Sequence, residues 1–268
     1  MADTRSRVWS VAGLLAAATL SSGLLASAAG AAESGTAETA APPIVGGEPA
    51  KIADHPWVVY LTDTQGNQFC GGTVAKANKI ITAAHCVSGD KPDAVQVVAG
   101  RESKQNTDGT VAKVTGIWVH PQYQDANSGS DVAVLTLGQD LPQQPLAVAS
   151  KDDSALYEAG KTAGVLGWGA TAEGGEASET LQKAEVPLTS DADCQKAYPQ
   201  YKAEAMVCAG FPEGGVDSCQ GDSGGPLVVE NKLVGIVSTG NGCARPNAPG
   251  IYTRVAAYHD DVQKQLDS

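Results

Sequence analysis

Residues 217–227 read DSCQGDSGGPL, with two aspartates, two serines, one cysteine and three glycines among eleven positions. Such a segment suits neither a helix nor a strand interior, because glycine loses the most backbone freedom on ordering and aspartate is depleted from strands. Two readings compete. One is a surface turn. The other is a backbone shaped to make Ser223 reactive: a serine hydroxyl is a weak nucleophile that needs a base within hydrogen-bond reach and a third group to orient that base. The rest of the chain decides between them.

The 268 residues are 42% hydrophobic and 18% charged, enough for a sizeable core in one large domain or two small ones. With 31 glycines, the composition suits short strands and many turns better than a helical bundle. A net charge of -12 without any basic run argues against a nucleic-acid partner. It suits a soluble secreted protein that attracts cationic substrates, although solubility alone explains it equally well. Arg5 and Arg7 precede an apolar run from Val8 to Leu25, followed by the small residues Ala26-Ser27-Ala28 and Ala29-Gly30-Ala31. That order predicts a secretory signal peptide over residues 1–31, with an A-x-A cleavage site at either place. A membrane anchor is the alternative; the run is rich in Ala and Ser and no second apolar span occurs, so no membrane association is expected. Residues 32–43, AESGTAETAAPP, read as a short propeptide or linker. All six cysteines lie after residue 43, and an even number in an exported chain implies disulfides. Spacing alone leaves on the order of fifteen pairings open. No C-x-x-C or H-x-x-x-H spacing is present, so no metal site is expected.

From IVGG (44–47) onward the chain reads as short apolar strands between turn signals: WVVYL (57–61), KIITAAH (79–85), AVQVVAG (94–100), VAVLTL (132–137), TAGVLGWG (162–169), PLVVENKLVGIVSTG (226–240) and GIYTRV (250–255). This rhythm predicts an all-β barrel or sandwich. Only 256–266 has helical spacing. GQDLPQQPLAVASKDD (138–153) breaks the rhythm and suits a connection between halves of similar size, residues 44–145 and 146–268.

Among the histidines His55, His85, His120 and His259, His85 follows a strand in TAAHC and is tethered by Cys86. Asp131 in GSDVAVLTL opens an apolar strand, where a buried carboxylate must have a partner. Taken singly, each has an ordinary structural explanation. Together, IVGG (44–47), TAAHC (82–86), DVAVLTL (131–137), GWG (167–169), GDSGGP (221–226) and PGIYTRV (249–255), in this order, resemble the trypsin-like branch of the chymotrypsin family of serine proteases. The similarity covers about residues 44–258.

The resemblance implies two packed six-stranded antiparallel β-barrels with a C-terminal α-helix, and peptide hydrolysis without a cofactor. It makes Ser223 the nucleophile, His85 the general base and then acid, and Asp131 the group that orients the imidazole. Gly221 and Ser223 N–H groups would form the oxyanion hole. Asp217 would sit at the bottom of the primary specificity pocket and select Arg or Lys, with Gly240 and Gly250 as side-chain-free walls and Ser218 and Ser238 as further substrate-binding positions. Asp222 would pair with the α-amino group of Ile44 once the chain is cut at Pro43–Ile44. The implied disulfides are Cys70–Cys86, Cys194–Cys208 and Cys219–Cys243. Substrates would be proteins and peptides containing Arg or Lys, and the implied partners an activating protease and protein inhibitors, with the enzyme itself a monomer.

Three departures stand out. Thr239 replaces a large aromatic that lines the cleft, which should loosen the neighbouring subsite. Pro43 before Ile44 disfavours tryptic self-activation and resembles the junction of bacterial secreted trypsins. The segment RESKQNTDGT (101–110), which matches a calcium loop of animal relatives, has only Glu102 and Asp108 as acids, so calcium is not expected there. Two rival readings are a catalytically silent family member acting as a binding module and a protease of narrow, processing-type specificity.

Overall fold

Fourteen strands form the framework of the described chain, residues 44–268 of the computed structural model. The expected signal peptide (1–31) and propeptide (32–43), including Pro43, lie outside the described residues. In chain order the strands are β1 (Glu48–Pro49), β2 (Val58–Thr62), β3 (Gln68–Lys76), β4 (Lys79–Thr82), β5 (Gln96–Ala99), β6 (Thr110–Val119), β7 (Ala133–Leu137), β8 (Ala147–Val148), β9 (Thr162–Gly167), β10 (Gln182–Pro187), β11 (Met206–Ala209), β12 (Pro226–Val229), β13 (Lys232–Thr239) and β14 (Gly250–Arg254). The α-helices are short: α1 (Ala84–Val87), α2 (Asp191–Ala197) and α3 (His259–Leu266).

The first half closes into a six-stranded antiparallel barrel in the order β2-β3-β4-β7-β6-β5. Closure leaves no exposed sheet edge. In β6 the buried Ala112 and Val114 alternate with the exposed Val111, Lys113 and Thr115, as an inside–outside alternation requires. Strand β3 contains Gly71 and Gly72 at its centre, and both mark close approaches. A Cβ on Gly72 would come within 2.8 Å of Ile80, and one on Gly71 within 3.1 Å of the Gly225 backbone.

The second half supplies seven strands of an eight-stranded sheet in the order β1-β10-β9-β12-β13-β14-β11, with β8 attached to β13; the eighth, β1, comes from the first half and pairs with β10. An antiparallel bridge between Leu188 and Ala209 joins the β10 and β11 ends, so the six strands β9–β14 curl into a second barrel. The fold is chymotrypsin-like, all-β with a C-terminal helix. It goes beyond the expected antiparallel pattern in one place: β8, inside the 138–153 connection, pairs parallel to β13. The hairpin between β12 and β13 turns on Glu230 and Asn231, both at positive φ (49° and 59°), the geometry of a two-residue type I′ turn.

The two barrels meet through Val58, Tyr60 and Val98 on one side and Leu166, Trp168 and Leu181 on the other. Tyr60 and Trp168 contact edge to face at 4.9 Å. The C-terminal segment is a 3₁₀ turn, Val255–Tyr258, followed by α3, which buries Val262 and Leu266.

Within the first barrel Leu135 is fully buried among Val59, Leu61, Val74, Ile80 and Val97. Truncating it removes transfer free energy and leaves a cavity that close-packed neighbours only partly fill. Leu135→Ala should therefore lose about 3 kcal/mol in urea unfolding. A loss below about 1 kcal/mol would mean that the barrel interior is not tightly packed at this point.

Candidate active site

His85 lies in α1, one turn long, rather than on the end of the preceding strand: β4 stops at Thr82 and the backbone turns helical at Ala84. The Cys70–Cys86 disulfide fastens this turn to β3. Asp131 precedes β7 and is 1% exposed. Its carboxylate accepts three hydrogen bonds, from the His85 main-chain N–H (2.8 Å), from His85 Nδ1 (2.8 Å) and from the Ser238 hydroxyl (2.6 Å). Its own backbone oxygen accepts from Thr253 Oγ1 at 2.8 Å. The imidazole is thus fixed with Nδ1 toward the carboxylate, and its other nitrogen, Nε2, stands 3.7 Å from Cys86 Sγ. Ser238 and Thr253 come from the second barrel, so the pair is braced across the interface. Ser238 was expected among the substrate-binding residues, and the structure places its hydroxyl on Asp131.

Ser223 lies on the loop between β11 and β12 and lines a cavity of about 160 Å³ that also contains Asp217, Ser218, Ser238, Thr239, Gly240 and Gly250. The structure records no hydrogen bond between Ser223 Oγ and His85. Catalytic hydrogen bonds often tighten only around substrate. The loop backbone is held tightly. Asp222 N–H donates to the Cys219 oxygen, Gly224 N–H to that of Val237 and Gly225 N–H to that of Asp222. By contrast, the N–H groups of Gly221 and Ser223 have no acceptor among the described residues. Gly221 sits at φ 95°, where a side chain would be strained.

Asp217 is 3% exposed. It accepts the Ala244 N–H at 3.1 Å, and the Ser218 hydroxyl stands 3.5 Å away. Burial pushes its carboxyl up to about 7, against the smaller opposing pull of these donors. A Cβ on Gly250 would lie 2.7 Å from Asp217 Oδ1, so any side chain there would block the acid. One on Gly240 meets only ordinary contacts, the nearest at 3.5 Å. Tyr252, fully buried beneath, places its hydroxyl 3.4 Å from that of Ser218; sequence reading missed this floor because GIYTRV reads simply as a strand. Thr239 borders both this cavity and a second, of about 220 Å³, lined by Asn127, Tyr198, Gln200 and Asn241.

Asp222 is completely buried and accepts the N–H groups of Gly169 (2.8 Å) and Cys219 (3.0 Å). Burial pushes its carboxyl up to about 6. Ile44 is also completely buried, in the second-barrel core, but no hydrogen bond links it to Asp222. Its neighbour Val45 accepts the Asp217 N–H at 3.1 Å, so the 44–47 segment runs beside the acid of the cavity.

Cys194–Cys208 and Cys219–Cys243 form the remaining disulfides, the latter joining the nucleophile loop to the cavity wall. Cys70, His85 and Cys86 cluster closely enough for a metal, but both sulfurs are in the disulfide, leaving no thiolate. In the 101–110 segment, the Glu102 carboxylate accepts the Ile52 N–H, and its backbone oxygen accepts Trp168 Nε1. The other histidines stand apart from the site: His120 approaches Asp261, His259 contacts Asp260 and His55 packs edge-on against Trp57.

The family model described as Trypsin matches residues 44–262. A trypsin of Saccharopolyspora erythraea is 54% identical over 225 residues, covering 84% of this chain and 99% of that protein. Trypsin eta of Drosophila melanogaster is 43% identical over 204 residues, covering 75% and 78%. Trypsin 5G1 of Aedes aegypti is 40% identical over 227 residues, covering 82% and 84%. The chain belongs to the trypsin family, the trypsin-like branch of the chymotrypsin-type serine proteases. Its activity is that of a trypsin-like serine endopeptidase, a hydrolase acting on proteins.

The raised carboxyl of Asp217 has a signed consequence for stability. The folded chain keeps a proton up to about pH 7 that the unfolded chain releases near 3.8. Stability from this site is therefore complete at acid pH and is lost as pH rises through about 7. Asp217→Asn cannot ionise, so its Tm relative to the parent should climb between about pH 4 and pH 8, measured by calorimetry without any cationic ligand. A constant Tm difference across that range would contradict a buried, proton-holding Asp217.

Proposed function

We propose that this endopeptidase is secreted, is made as a zymogen activated at Pro43–Ile44, and cleaves peptide bonds after Arg or Lys. The observation that carries the specificity is Asp217, a buried carboxylate in a cavity that Ser223 lines and that no protein cation enters among the described residues. A buried charge without a partner is strongly disfavoured, so a long cationic side chain gains most by filling the cavity. Residues 44–268 form one peptidase domain, a first barrel over 44–145 and a second barrel with the terminal helix over 146–268. They follow a signal peptide over 1–31 and a propeptide over 32–43. Among the described residues no helix is long and apolar enough to cross a membrane. The enzyme works as a monomer on proteins and peptides, needs an activating protease and is open to protein inhibitors.

Chemistry follows from the site. Ser223 Oγ bonds to the scissile carbonyl carbon as His85 Nε2 takes its proton. The imidazolium is stabilised by Asp131 through Nδ1–H. The Gly221 and Ser223 N–H groups, without other acceptors, receive the oxyanion, a contribution of about 3 kcal/mol at the transition state. His85 then gives the proton to the leaving amine as the C–N bond breaks; a water deprotonated by the same imidazole attacks the acyl carbon, the bond to Ser223 Oγ breaks, and His85 returns the proton to that oxygen. In the uncut chain Ile44 has no α-amino group. Cutting creates one that ion-pairs with Asp222, a carboxylate that otherwise has only two main-chain donors.

Matched peptide amides ending in Arg, Lys and Phe test the specificity. Cleavage after Arg and Lys should dominate and should fall by about 10⁴-fold or more in Ser223→Ala. Equal cleavage after Phe would remove Asp217 from its role, and near-normal turnover in Ser223→Ala would remove Ser223 from its own. For activation, the intact precursor should be nearly inactive until Pro43–Ile44 is cut. Full activity with that bond intact, checked by N-terminal sequencing, would refute the switch.

A further inference from the structure

We propose that Gln68 and Lys104 are a positioning pair for the backbone between the two oxyanion donors: Lys104 orients the Gln68 amide, and the amide holds the Gly221 carbonyl on the peptide that separates the Gly221 and Ser223 N–H groups. The proposal rests on the reading of the Gly221 and Ser223 N–H groups as the oxyanion site. The Gly221 N–H belongs to the Gln220–Gly221 peptide, whose oxygen accepts the Ala170 N–H at 2.7 Å; at φ 95° Gly221 has no Cβ to confine rotation into the next peptide, so the aim of the Gly221 and Ser223 N–H groups relative to one another depends on how the Gly221–Asp222 peptide is held as well. The Gly221–Asp222 peptide is held at both ends. Asp222 N–H donates to the Cys219 oxygen at 3.0 Å, and the Gly221 oxygen accepts Gln68 Nε2 at 3.2 Å. The first bond belongs to the loop itself. The second crosses from β3 of the other barrel.

An amide has nearly the same shape with its oxygen and nitrogen exchanged, but only the NH₂ end can donate to a carbonyl. Lys104 removes that ambiguity. Its ammonium, a donor without an acceptor, bonds Gln68 Oε1 at 3.1 Å, which turns Nε2 toward Gly221. The reversed amide would place two donors together at Lys104 and two acceptors together at Gly221. Lys104 is fixed in turn, because its backbone N–H donates to the Glu179 oxygen at 2.8 Å and its stem is half-buried. Burial lowers its pKa, while Glu179 and Asp222 favour its charged form. Strand β3 also holds the loop a second time, through Gly71 N–H to the Ser223 oxygen at 2.7 Å. Neither Gln68 nor Lys104 lines the Asp217 cavity. Their effect should therefore fall on the transition state and spare the ground-state binding of a cation.

The test uses the activated enzyme and Gln68→Met, Gln68→Glu, Lys104→Met and the double Gln68→Met/Lys104→Met. Three quantities are measured: kcat and KM on an Arg peptide amide, Kd for benzamidine, and the rate of Ser223 sulfonylation by phenylmethylsulfonyl fluoride. Both Gln68 variants should lose about tenfold or more in kcat and in sulfonylation, with benzamidine Kd unchanged within about twofold. Lys104→Met should lose about threefold or more alone and nothing further in the Gln68→Met background. Unchanged kcat, additive losses, or a parallel loss of benzamidine affinity would each overturn the proposal, the last by showing general loosening. If only the Arg/Lys reading is wrong, the parent will neither cut the Arg amide nor bind benzamidine, and the sulfonylation ratios still decide the proposal. A parent inert to the sulfonyl fluoride would remove the oxyanion reading and this proposal with it.

Discussion

The buried carboxylate of Asp131 is the constraint on which the rest of the molecule turns. It is 1% exposed and accepts three donors, two from His85 and one from Ser238. A buried charge is stable only when such partners are all in place. Satisfying it therefore dictates that α1 turn back on β7 and that β13 of the second barrel reach the first. The same closure that settles the carboxylate produces the cleft in which Ser223 lies. Loss of any one donor would be felt as a desolvated charge as well as a missing contact.

Two other acids are treated differently. Asp217 and Asp222 are as deeply buried as Asp131, but the protein supplies them with main-chain donors and no buried cation in contact. Burial accordingly raises both carboxyls, to about 7 and about 6. The fold tolerates these two under-compensated sites next to the tightly braced His85–Asp131 pair. Their electrostatic deficit is a local store of affinity for positive charge.

The strands that sequence patterning identified were the continuous apolar runs, such as Val132–Leu137 and Gly250–Val255, where both faces are buried and no solvent-facing residue interrupts the signal. The strands it missed carry weaker patterns. β3 contains Gly71 and Gly72, which read as breakers and are in fact close approaches to Gly225 and Ile80. β6 and β10 alternate buried with solvent-facing residues, and the Glu230–Asn231 turn lacks the glycine that usually marks a type I′ hairpin. The candidate site residues stood out because short motifs surround them, and the structure gathers Asp217, Ser218, Ser223, Ser238, Gly240 and Gly250 around one cavity. Contacts between residues far apart in sequence were not legible: Ser238 with Asp131, Tyr252 beneath Ser218, and Gln68 with Gly221. No local pattern encodes a partner 153 positions away.

The segment joining the barrels, expected as a plain connection, is stitched to both. Leu141 and Leu146 donate main-chain bonds to Ala77 and Val74 of the first barrel, and Ala149 donates to Leu233 of the second, where β8 lies parallel to β13. A seam of this kind leaves no free hinge, so the groove between the barrels is ready-made and does not close over its guest like a jaw. The burden of shape change passes to the substrate. A folded protein can be cut only where it can peel out an extended strand, and its local unfolding then governs how fast it is digested.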